Sequence, residues 1–214
     1  MDLPLFAFSI LGFLLAPREL GKWRWLLPAC FVCLNLLLLL GPQALQPRFN
    51  PRVYLILSQA PWFLCLLDLV FRGRIYGIVT QVPLRSWILW PLFRLMGFGF
   101  VFAAYAGDLP PEFALKTALG DLLTASGALI LWFFNRPQSL FYRGLLLFWN
   151  AYGLVTVLAA SIAVLRVTPS SFDTHTYFVE FPQAWMPLFW MPLGIIIHMV
   201  VFFRMFTEEE VPIS

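Results

Sequence analysis

Between Trp87 and Ala106 twenty consecutive residues carry a single charge, Arg94, and similar runs recur along the chain. In hydrocarbon every backbone N–H and C=O must find its partner within the protein, so a segment of this kind is a helix or one strand of a closed barrel. Its length favours the helix, which needs about 17–25 apolar residues to cross a bilayer. Seven such segments are readable, roughly Leu3–Ala16, Trp25–Leu40, Val53–Phe71, Trp87–Ala106, Thr117–Phe134, Gly144–Leu165 and Trp185–Phe206. Composition points the same way. Hydrophobic residues make up 61% of the 214, charged residues 12%, and mean hydropathy is +0.82. A soluble domain carries about 25% charged residues, twice what is present. Disorder, a secreted disulfide scaffold and a nucleic-acid-binding domain are excluded on the same grounds. The expected fold is all-α: one integral membrane domain over residues 1–214, a polytopic bundle of about seven spans joined by short connections.

Basic residues in the connections orient such a bundle. The first, third and fifth connections and the C-terminal end hold Arg18, Lys22, Arg24, Arg72, Arg74, Arg85, Arg136, Arg143 and Arg204; the others hold Arg48, Arg52, Lys116 and Arg166. Nine against four predicts the N-terminus outside and the C-terminus cytoplasmic. The first apolar segment has the length of a signal sequence, but Asp2 stands where Lys or Arg is needed and no small-residue cleavage site follows, so it is read as a retained helix. Trp23, Trp25, Trp62, Trp87, Trp90, Trp132, Trp185 and Trp190 mostly fall near span ends, where indoles favour the headgroup layer, and are read as a membrane belt. A retinal protein is excluded, because the last span has no Lys for a Schiff base.

An ionisable side chain at bilayer depth costs about 2.5–3.5 kcal/mol on insertion scales, so each one needs a reason. Asp68, Arg94, Asp121, Asn150 and His198 are the polar residues that need one. With the span limits above, Arg94, Asn150, His198 and the shallower Asp68 form one layer in the inner leaflet, and Asp121 stands apart near the outer side. Arg94 shares a helical stripe with Gly97, Asp121 with Thr117, Thr124 and Ala128, Asn150 with Gly153, and His198 with Gly194. Stripes of small residues pack helix on helix, which turns these groups into the bundle. Arg94, Asp121, Asn150 and His198 are therefore the candidate ligand-binding residues. They could equally be internal clamps, with Arg94 on a carboxylate or freed carbonyls. Pro61, Pro91, Pro187 and Pro192 interrupt spans, and Gly107-Asp-Leu-Pro-Pro-Glu112 can re-enter the outer leaflet. Broken helices of this kind build the sites of transporters.

Other patterns carry less. Cys30 and Cys33 have metal-ligand spacing, but apart from Cys65 no partner is nearby, and small apolar filler is the simpler account. Asp173, His175 and Glu180 read as a solvated loop, so no metal and no cofactor is assigned. Ser126-Gly127 with His198 lacks the first glycine of a G-x-S-G protease motif. The Pro-Gln pairs at 42–43, 137–138 and 182–183 lie at span boundaries, unlike those of the two-repeat sugar transporters.

The second half carries an ordered pattern: Phe93-Arg94-x-x-Gly97, Gly107-Asp-Leu-Pro110-x-x-Phe113-Ala114, Gly120-Asp121, Trp149-Asn150-x-x-Gly153-Leu, Pro187, Pro192 and His198. Over residues 90–205 it resembles a group of small uncharacterised bacterial multi-pass membrane proteins. The resemblance implies a location in the bacterial cytoplasmic membrane and brings no reaction with it. In that group an acidic residue often stands where this chain has Thr156, which implies that part of the family's activity could be lost here. Three functions need such inward polar groups: a protein that binds and transports a small or amphipathic ligand, anions included; a membrane-embedded enzyme acting on a lipid or isoprenoid; and an accessory subunit of a larger membrane complex. The expected partners are membrane lipid, a small-molecule ligand or other membrane subunits, and not nucleic acid.

Overall fold

The computed structural model describes residues 50–57, 59–136, 139–169, 177–178 and 186–207. All regular structure among them is helical. In chain order these are α1 (Pro51–Leu57), α2 (Ala60–Val70), α3 (Arg74–Val79), α4 (Leu84–Leu89), a 3-10 segment (Trp90–Met96), α5 (Gly97–Tyr105), α6 (Pro111–Phe133), α7 (Leu140–Val167), a π-helical turn (Met186–Trp190) and α8 (Met191–Thr207). Four helical runs are long and apolar enough to cross a membrane: Leu84–Tyr105, Pro111–Phe133, Leu140–Val167 and Met186–Phe206. The first two expected spans lie outside the described residues.

The third expected span is not one helix. It divides into α1 and α2, with Pro61 in the first turn of α2, where a missing N–H costs nothing. The connection after it contains α3. α2 ends in a Schellman motif: Gly73 N–H donates to Asp68 O (2.7 Å) and Arg72 N–H to Leu69 O (3.3 Å). Arg72 takes the left-handed conformation this requires, φ 55°. The segment read as able to re-enter the membrane is a second Schellman turn. Gly107, at φ 79°, and Asp108 donate to Ala104 O and Ala103 O (3.1 and 2.9 Å), and α6 begins three residues on. Glycine reaches that φ without a Cβ penalty.

Proline breaks the two runs that carry Arg94 and His198. Pro91 leads the 3-10 segment, Pro187 lies in the π turn and Pro192 just after it. Pro192 has no N–H to return to Leu188 O four residues earlier, and that carbonyl is taken instead by Trp62 Nε1–H at 2.9 Å. Gln59 Nε2–H donates likewise to Pro187 O at 2.9 Å. The broken α1–α2 pair thus supplies the donors that the broken last run lacks, as membrane-depth backbone demands.

α6, Leu131 apart, buries small residues and exposes large ones, and α7 does so beyond its first turns, where Tyr142, Leu146 and Trp149 are buried. Ala114, Ala118, Ala125 and Ala128 of α6 are buried, whereas Leu119, Leu123, Ile130 and Phe133 are exposed; on α7 Gly153 and Ala160 are buried and Phe141, Phe148 and Ile162 exposed. A soluble helix would bury the large set. The inverse suits helices that touch one another through small residues and lipid through large ones. Around this pair α5 and the 3-10 segment pack on α6, and α8 packs on α7, α2 and α4. The tryptophan belt is corrected in part: Trp87, Trp90 and Trp190 are 2–3% exposed. They fill the space left by the broken helices, with Trp190 against Phe93 (centroids 4.9 Å) and Trp87 Nε1 donating to Val79 O (3.2 Å).

Candidate ligand site

Where a helix begins decides how deep its residues lie. α6 starts at Pro111, six residues before the expected limit, so Asp121 is ten residues in, about 15 Å at 1.5 Å per residue. Arg94 and Asn150 are likewise ten residues from Leu84 and Leu140, and His198 is nine from Thr207. All four share one layer near the middle of the runs. The separation of Asp121 is therefore overturned. Asp68 leaves the group: its carboxylate caps α3, accepting from Ile75 N–H at 2.7 Å and lying against Gly73.

Arg94 sits at the centre, 3% exposed. Its Nε–H donates to Asp121 Oδ1 at 2.8 Å, and Nη2 stands 2.7 Å from the same oxygen. Nη2 also donates to Thr156 Oγ1 (3.0 Å), while Nη1 donates to Gly153 O (2.9 Å) and meets His198 Nε2 (3.4 Å). The guanidinium has five N–H groups, and each has an acceptor. Asp121 Oδ2, by contrast, accepts no hydrogen bond among the described residues.

The histidine tautomer follows from the same network. Asn150 Nδ2 donates to His198 O (2.9 Å), so Asn150 Oδ1, 2.9 Å from His198 Nδ1, is an acceptor there. Nδ1 therefore carries the proton, and Nε2 offers a lone pair to Arg94. Trp149 closes the other side of the imidazole, ring centroids 5.4 Å apart, and its Nε1–H donates to Thr124 O (2.8 Å). Replacing Asn150 by Leu strands that Nδ1–H, at about 1–3 kcal/mol for a buried unsatisfied group. A fall in the unfolding midpoint in detergent is the expected result, and an unchanged midpoint would contradict the assignment.

The sequence reading missed two members. Gly153 offers its carbonyl to Arg94, and a Cβ there would strike the His198 ring. Thr156, noted only as a departure from a pattern, donates to Gly153 O (3.0 Å) and accepts from Arg94. An acid at 156 would meet the same guanidinium nitrogen that Asp121 holds. Trp149, Gly153 and Thr156 lie at spacings of four and three, a signal that was present in the sequence. Beside the ion pair is a cavity of about 20 Å³, bordered by Arg94, Asp121, Phe93, Met186, Trp190 and Gly194. That holds about one water.

The chain matches a known family over residues 50–206, the Domain of unknown function (DUF8737), and belongs to it. The match contains the whole site and reaches forty residues further toward the N-terminus than the resemblance read from the sequence. No curated protein and no solved structure matches the chain.

Proposed function

We propose that this DUF8737 protein is a multi-pass protein of a bacterial cytoplasmic membrane that binds and moves a small anionic ligand through the Arg94 site. The N-terminus is outside and the C-terminus cytoplasmic. The side taken by the C-terminal end is supported by contacts that gather one set of ends together: Arg204 Nη1 donates to Thr80 O (2.6 Å) and the Arg85 guanidinium lies over the Trp132 ring (4.4 Å). The opposite ends meet where Arg52 Nε donates to Thr168 O (2.8 Å). The more basic ends belong inside.

One observation carries the functional reading: an arginine–carboxylate pair at mid-depth, on a helix broken beside it, bordering a cavity. Arg94 would exchange Asp121 for the ligand's negative group, with Asn150 and His198 holding the opposite wall. In the closed arrangement the cavity admits no more than a water, so the ligand is small or the broken segments move aside. Native mass spectrometry of protein extracted gently from its membrane tests this. A monomer carrying a defined small mass, absent from the Arg94→Met/Asp121→Leu variant, supports it; an empty monomer in both speaks against it.

The saturation of Arg94 favours a second reading, in which the cluster is an internal clamp within an accessory subunit of a membrane complex. Stoichiometric partner chains in the same spectrum would select it.

A further inference from the structure

Among the described residues Asp121 has one partner, Arg94. Both contacts reach Oδ1, at 2.8 Å from Nε and 2.7 Å from Nη2, and Oδ2 accepts no hydrogen bond there. The Asp121 side chain is 13% exposed and borders the cavity of about 20 Å³, which has room for about one water. The elements packed on α6 bring this carboxylate no second cation among the described residues. α5 comes close through Gly97, where a Cβ would fall on Asp121 Cβ, and its ionisable group is the exposed Tyr105 at its end. α7 presents Thr156 opposite Gly120. Its Tyr142 reaches Leu131 O near the far end of α6, its Tyr152 lies on the outer side with Leu123, and Arg143 and Arg166 stand exposed in its end turns. α4 brings Arg85, over Trp132 in the last turn of α6. On α6 itself Glu112 and Lys116 pair with each other, exposed, in the first turns. Only on the far side of Arg94 does another titratable group stand near, His198 of α8.

We infer that the site carries its anion together with one proton, and that Asp121 Oδ2 takes the proton. The inference rests on the reading above, in which the anion displaces Asp121 from Arg94. Charge balance requires the proton. At rest the guanidinium and the carboxylate sum to zero. An anion on Arg94 beside an ionised Asp121 would leave a net negative charge at mid-depth, where uncompensated charge is costly. The other acceptors on Arg94, Gly153 O, Thr156 Oγ1 and His198 Nε2, are neutral, so displacing them relieves nothing. A proton from water in the cavity forms an O–H bond on Oδ2, and the loaded site of guanidinium, anion and neutral carboxyl again sums to zero. His198 is the competing acceptor. Its Nδ1 already carries a proton toward Asn150, and Nε2 faces the guanidinium at 3.4 Å, so a second proton would set two cations in contact. When the anion leaves, Asp121 gives up its proton and returns to Arg94. One anion and one proton therefore move per cycle, and the transfer carries no net charge.

Titration calorimetry of the full chain in detergent tests this, with nitrate and formate as anions small enough for such a cavity. Both keep a fixed charge between about pH 6 and 8, where a carboxylate in water is ionised, so any proton taken up goes to the protein. Titrations in two buffers of different ionisation enthalpy count that proton. Wild type should take up one per anion bound. Its affinity should weaken about tenfold for each unit of rise in pH, because the loaded site holds one proton more than the empty one. Asp121→Asn already carries a neutral partner. It should bind the anion with no proton taken up and no pH dependence, and the anion should raise its unfolding midpoint by giving Arg94 a counter-charge. Anion bound by wild type without proton uptake, or a proton still taken up by Asp121→Asn, would overturn the coupling and leave the Arg94 site standing. Failure of wild type to bind either anion across that range would refute the site, and the coupling with it. The wild-type count needs no variant, so a poorly folding Asp121→Asn leaves the test intact.

Discussion

Arg94→Ala is expected to destabilise the protein by about 3–5 kcal/mol, the cost of leaving one partner of a buried pair uncompensated. The reason is geometric. Both contacts of the ion pair fall on Asp121 Oδ1, and the carboxylate has no other partner to turn to among the described residues. The same deletion frees Gly153 O, Thr156 Oγ1 and His198 Nε2 at once. Arg94→Met with Asp121→Leu removes both charges and should recover most of the loss, since apolar replacements of whole buried pairs are commonly neutral or stabilising. Unfolding midpoints in detergent give both values. A single variant as stable as wild type would show that the pair carries no strain on removal, and the network described here would be wrong.

Gly153→Ala is expected to cost about 1–3 kcal/mol, the range for overpacking a close-fitted interior. A Cβ at 153 would fall on the imidazole of His198, so α7 and α8 must part or the ring must leave Asn150. Either movement disturbs the Gly153 carbonyl that Arg94 uses. The cause can be separated from a general loss of helix packing by a double-mutant cycle with His198→Ala. Because the smaller side chain at 198 makes room for the new methyl, the pair should be less damaging than the sum, with a coupling of about 0.5–3 kcal/mol. Strict additivity would place the cost elsewhere.

Much of this site was legible in the sequence because polar residues at bilayer depth are conspicuous. Arg94, Asp121, Asn150 and His198 stand out by cost alone, and Gly97 and Gly153 turn them inward. Their pairing was not legible. It hung on where α6 begins, and Glu112 and Lys116 interrupt the apolar run there. The two form an exposed i,i+4 pair at 2.6 Å, so they sit within the helix instead of before it. Pro111 at the first turn is the start signal that outweighs hydropathy. Backbone carbonyls are harder still to foresee. Nothing in the residue type of Gly153 says that its oxygen will hold a guanidinium. Trp87, Trp90 and Trp190 mislead for a related reason: the irregular runs at Pro91 and Pro187–Pro192 leave volume near span ends that only large rings fill. The break between α1 and α2 was marked by Pro61 but not its purpose, which is to aim Gln59 and Trp62 at carbonyls 126–128 residues away.

The central claim is that Arg94 and Asp121 handle a ligand and do more than hold helices together. Uptake into proteoliposomes tests it most directly, with phosphate, bicarbonate and short carboxylates as the anions offered. Wild type should accumulate at least one of them saturably, and the folded Arg94→Met/Asp121→Leu variant should accumulate none. Uptake that survives the double substitution, or its absence from wild type across the whole panel, would contradict the account.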